Sequence, residues 1–159
     1  MDYKSTEKNL NRPNNISSKF FLSETKIPEE VDVLTVSFFG NYPQGSSGSD
    51  TAKYISKQII SGFINFDPDA IILDFRALTY NWGNSLLRIF QDISQFKDCG
   101  NTEEEPNFPV LILVSEKSKA GITSLLTPSN SEKPLEFIFE DENLALKEAF
   151  KKGKYWLDN

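Results

Sequence analysis

Pro68 to Leu78 reads PDAIILDFRAL. Within it, Ala70 to Phe75 (AIILDF) is a nearly continuous apolar run that ends on a charge. Such a run, bounded by a turn-forming Pro-Asp pair, marks a strand covered on both faces, as in the middle of a parallel sheet. Working outward, Pro109 to Val114 (PVLILV) has the same character, and Leu135 to Phe139 is a third strand of this kind. Stretches with helical spacing separate these strands. Ala52, Ile55, Ile59 and Phe63 form one apolar stripe; Leu86, Ile89, Phe90, Ile93 and Phe96 form a second, over about Asn84 to Phe96. Lys119 to Leu126 is a short helix stopped by Pro128, and a final helix carries Leu146, Ala149 and Phe150.

Upstream, Lys19 to Leu22 and Val31 to Phe39 read as two strands of a hairpin turning at Pro28-Glu29-Glu30. The predicted order is ββαβαβαβα: one α/β domain, residues 19–159, with a mostly parallel central sheet and an N-terminal β-hairpin as antiparallel edge. Residues 1–18 are polar and read as a flexible tail. Local end signals place Ser49 or Asp50 at one helix N-cap, Asn84 at a second and Asp141 at a third, with Gly153 just past the last helix.

Composition narrows the chemistry. The chain has 159 residues, no histidine and one cysteine, Cys99, which reads as an incidental surface thiol. Histidine-based nucleophile triads, His-ligated zinc and thiolate zinc sites are excluded, and no cofactor or metal is expected. The net charge of −6 argues against nucleic acid. The basic cluster Lys147, Lys151, Lys152 and Lys154 suits the C-terminal end of a helix dipole. Glu103-Glu104-Glu105 reads as a solvated loop. No apolar run of about 18 residues is present. Met1 to Asn15 carries no targeting pattern, so a cytoplasmic, non-membrane protein is expected. Gly40 to Ser49 (GNYPQGSSGS) has loop composition, but it ends on Gly48-Ser49-Asp50 rather than the Gly-Lys-Ser/Thr of a phosphate loop.

The element order, with AIILDFR at residues 70–76, Leu78-Thr79-Tyr80 and PLEFIFEDENLALKEA at residues 134–149, resembles the STAS domain of anti-sigma factor antagonists. The resemblance runs from Val31 to Ala149. It implies a regulatory protein-docking domain rather than an enzyme, with a protein partner. That family carries Asp-Ser-Ser-Gly at the start of its second helix, where a serine is phosphorylated. Here the chain reads Asn81-Trp82-Gly83-Asn84-Ser85, without the acid or the serine pair. The expected docking is therefore phosphate-independent.

PDAIILDFRAL and FPVLILVSEKSKAG (residues 108–121) are also similar to crotonase and ClpP-type folds. That resemblance implies an oxyanion hole from backbone amides near Gly83 and Gly121, with Ser115, Glu116 and a Ser118–Lys117 or Ser118–Lys119 pair as the available groups. A third reading is an acidic, immunity-type masking protein.

Ligands of open α/β sheets sit at the carboxyl ends of the strands. There the sequence sets Tyr80, Asn81, Trp82, Gly83, Asn84 and Ser85, two aromatics among turn formers, and these six are the candidate partner-binding residues. Two readings of Trp82 stand: a cover over the sheet edge, or a contact residue of the kind enriched in interface hot spots. Asp74 and Arg76 share a strand face and are expected to pair, with a ligand-binding Arg76 as the alternative. Lys117 and Lys119 flank a short helix start and read as solvated, or as anion contacts.

Overall fold

The computed structural model describes residues 2–10, 12–25, 30–127 and 135–159. The predicted turn at Pro28-Glu29, the stop at Pro128 and the start of the PLEF stretch at Pro134 lie outside them. Among the described residues, five strands form one sheet, β1 (Ile16–Thr25), β2 (Val31–Asn41), β3 (Ala70–Thr79), β4 (Val110–Leu113) and β5 (Ile138–Phe139), and four α-helices accompany them, α1 (Ser49–Phe66), α2 (Leu87–Asp98), α3 (Lys119–Leu126) and α4 (Glu142–Asp158). The order is the predicted ββαβαβαβα. β1 is longer than expected and starts at Ile16, whose side chain is buried. β3 extends to Thr79, four residues beyond the apolar run, while only Ile138 and Phe139 of the fifth strand pair.

The strands lie side by side in chain order, β1-β2-β3-β4-β5. β1 pairs antiparallel with β2, and every other neighbouring pair is parallel. With right-handed crossovers that all step in one direction, α1, α2 and α3 must share a face. The packing agrees. Leu34, Val36 and Phe38 of β2 and Ile71, Leu73 and Phe75 of β3 meet Ile55 and Ile59 of α1, Ile89 and Ile93 of α2, and Ile122 of α3. The alternate residues Val33, Ala70, Ile72, Leu111 and Leu113 face Ala145 and Ala149 of α4 on the other side. This two-sided burial is the cause of the continuous apolar runs.

Several end signals are overridden by packing. Gly48 precedes α1, and Ser49 and Asp50 are its first two residues, without a side-chain capping bond. Asn84 belongs to a 3-10 turn, Asn84–Leu86, that leads into α2, and it provides no side-chain cap either. Gly153 is inside α4. A Cβ there would come within 3.0 Å of Val31 and 3.4 Å of the Asp69 carbonyl, so the glycine eases a close approach of α4 to the sheet and does not end the helix. Asp141 does cap α4, accepting from the Leu144 N–H at 3.2 Å.

Candidate functional site

At the carboxyl end of the sheet two loops meet. The first follows β2 and contains a 3-10 turn, Gly45–Gly48; the second follows β3 and contains Tyr80 to Ser85. The Tyr42 N–H donates to the Thr79 carbonyl at 2.8 Å, which fastens the first loop to the end of β3. Tyr42 and Tyr80 pack edge to face with ring centroids 5.1 Å apart. The Tyr42 and Ser85 hydroxyls lie 2.7 Å apart and hydrogen-bond. The GNYPQGSSGS stretch is thus built into the second loop.

The six candidate residues divide by environment. Tyr80 is buried, and its hydroxyl donates to the Gly83 carbonyl at 2.8 Å, closing the loop on itself. Burial, reinforced by nearby Tyr42, pushes its phenol up to about 12. Burial also raises the Tyr42 phenol, against the lowering effect of its bond to Ser85. Gly83 has φ +143°, a conformation side-chain-bearing residues rarely adopt, and this turns the chain outward after Trp82. Asn81 and Asn84 are exposed, and Ser85 is half-buried behind Tyr42. Trp82 is 58% exposed. Its ring lies along Gly45, where an added Cβ would approach it to 2.9 Å. The indole therefore rests on the first loop and does not cover the core.

Three of the groups named for acyl chemistry, Ser115, Ser118 and Lys119, are committed elsewhere. Ser118 is buried and its hydroxyl donates to the Phe75 carbonyl at 2.8 Å; Ser115 donates to the Arg76 carbonyl at 2.6 Å. Lys119 pairs with Glu140 at 2.7 Å. Gly121 is the third residue of α3, and a Cβ there would sit 2.6 Å from the Tyr80 ring and 2.7 and 2.8 Å from the carbonyls of Tyr80 and Asn81. Gly121 lets α3 press against the loop at Tyr80 and Asn81.

On the α4 face, beyond the apolar residues, β2 and β3 turn polar. Asp74 and Arg76 form the expected pair, with Arg76 Nε to Asp74 Oδ1 at 2.9 Å and Nη2 to Oδ2 at 3.0 Å. The Ser37 hydroxyl and the Arg76 backbone N–H add bonds at 2.8 and 3.1 Å. Burial would raise the Asp74 carboxyl, but these bonds from Arg76 and Ser37 outweigh it and hold the group below its ordinary value. An open hollow of about 530 Å³ lies over this pair. With Asp74 already bonded by four donors, its first role is to organise the sheet surface.

Sequence reasoning missed a further cluster. Lys97 Nζ lies 5.1, 4.5 and 5.4 Å from the ring centroids of Phe63, Phe108 and Trp156. Three distant segments supply the rings, so no local spacing announces them.

Searched against family models, the chain matches none, and no curated protein matches it. Among solved structures it is similar to an anti-sigma factor antagonist from Mycobacterium paratuberculosis, at 15% identity and a TM-score of 0.52, over 88% of this chain and 98% of that one. At that identity the likeness is one of fold, and the fold is the STAS-like arrangement implied by the element order.

Proposed function

From a fold shared with an anti-sigma factor antagonist, we propose that this chain is a non-catalytic, regulatory docking domain whose contact surface is the loop Tyr80, Asn81, Trp82, Gly83, Asn84 and Ser85. The observation that carries the reading is Trp82. A large side chain 58% exposed in a rigid loop loses little further freedom on binding and brings much apolar area. The rigidity has a stated source: Tyr80 bonded to Gly83, Tyr42 bonded to Ser85, and Gly121 against both Tyr80 and Asn81.

The same geometry supports docking without a phosphate switch. The Ser85 hydroxyl is half-buried and engaged with Tyr42, and a Cβ at Gly48 would lie 2.9 Å from it. A phosphoryl group on Ser85 would have to break that bond and displace the first loop. No acidic residue stands at Asn81 or Asn84. The regulated partner is a protein, met in the cytoplasm by a chain for which, among the described residues, no helix is long and apolar enough to cross a membrane.

The test is affinity capture with the tagged wild-type chain, Trp82→Ala, and Ser85→Ala, with folding checked by circular dichroism. A stoichiometric protein lost with Trp82→Ala and kept with Ser85→Ala supports the reading. Capture unchanged by Trp82→Ala, or dependent on phosphorylated Ser85, overturns it.

A further inference from the structure

α1 and α2 cross over on the same face of the sheet and in the same direction. Between them runs an open groove of about 830 Å³. α1 lines it with Lys53, Lys57, Ile60 and Ile64, positions three or four apart and hence one stripe of that helix. Lys53 to Ile64 spans about 16 Å at 1.5 Å per residue, or about three helical turns. α2 adds Arg88 and Phe96. Ile64 is 70% exposed and Phe96 47%, an apolar strip left open to solvent. On the groove wall, Ser56 is buried and its hydroxyl has no hydrogen-bond partner.

The charge of this groove opposes that of the chain. Lys53, Lys57 and Arg88 stand against the single acid Asp92, which Arg88 contacts at 3.4 Å, in a protein of net charge −6. A groove of this length with an apolar strip and cations along it matches the helix-in-groove mode of recognition. The cations select an occupant with acidic flanks.

We propose that the α1–α2 groove is a second docking surface, separate from the Tyr80–Ser85 loop, and that it takes an amphipathic helix of a partner protein with an apolar stripe flanked by Asp or Glu. Ile64 and Phe96 receive the stripe; Lys53, Lys57 and Arg88 meet the acids.

The experiment titrates the full isotope-labelled chain with three designed peptides: a helix with Leu at i, i+3, i+4 and i+7 flanked by Glu, the same peptide with Lys for Glu, and the acidic peptide in scrambled order. Expected are amide shifts along α1 and α2 with the first peptide, and affinity at least about tenfold above the other two. Lys57→Glu and Ile64→Ser, both at exposed positions, each weaken binding about tenfold, while Trp82→Ala leaves it unchanged. The proposal is overturned if no saturable binding occurs up to about 1 mM, if the Lys peptide binds equally, or if the shifts centre on Tyr80–Ser85. Co-sedimentation with phosphatidylserine vesicles that Lys57→Glu abolishes, without peptide binding, would reassign the groove to a membrane surface. Because Trp82→Ala is silent in this assay, failure here leaves the loop reading standing, and the reverse.

Discussion

Tyr42 and Ser85, 43 residues apart, share a 2.7 Å hydrogen bond that ties the loop after β2 to the start of α2. Each hydroxyl is the other's partner in a part-buried setting, so removing either leaves a polar group short of a bond. Tyr42→Phe and Ser85→Ala should each cost about 1 kcal/mol, and a double-mutant cycle should return a coupling of about 0.5–1.5 kcal/mol. Urea unfolding of the four proteins measures it. Additive losses would mean that the two loops hold together without this bond.

Gly121 is the tightest point beneath the proposed contact loop. A methyl group there overlaps a ring carbon and two backbone carbonyl oxygens, which cannot rotate away. Gly121→Ala should destabilise the fold by about 1–3 kcal/mol and move Trp82, seen as a lowered unfolding midpoint and a changed indole emission. Wild-type stability in the variant would show that α3 can shift away from the loop freely.

Asp74 sets an acid limb. Its folded-state value lies below the ordinary 3.8, so its contribution is present above that value and is lost as pH falls through the lower, folded-state value. Asp74→Asn should cost about 1–3 kcal/mol at neutral pH, where hydrogen bonds to a charged group are removed. The gap from wild type should narrow progressively below about pH 4. Thermal unfolding of both proteins as a function of pH checks this; a gap independent of pH would assign the loss to packing rather than to the charged pair.

The parts of this fold legible in the sequence are those written as local periodicity. AIILDF and PVLILV announce strands buried twice over, and the stripes of α1 and α2 appear at helical spacing. The STAS-like order follows from their succession. Chain-end signals were less dependable because contacts compete with them: Gly153 answers to Val31 and Ala70, not to the end of α4, and Ser49, Asp50 and Asn84 lie within the turns they were expected to cap. The loop Tyr80–Ser85 was visible as two aromatics among turn formers. Its supports were not, since Tyr42, Gly45, Gly48 and Gly121 reach it from elsewhere in the chain. Lys97 was hidden for the same reason: it stands just past the apolar stripe that ends at Phe96, while its side chain lies among three rings from distant segments.

The strand order also has a consequence for synthesis. Each strand lies beside the one translated before it, so a chain leaving the ribosome meets every new pairing partner already in place, and no strand has to insert between two others. The face of Val33, Ile72 and Leu111 is the exception. It waits for Ala145 and Ala149, which arrive with α4, the last described element. A nascent chain stalled before α4 would present a bare apolar sheet surface, the kind of exposed patch on which partly made chains aggregate.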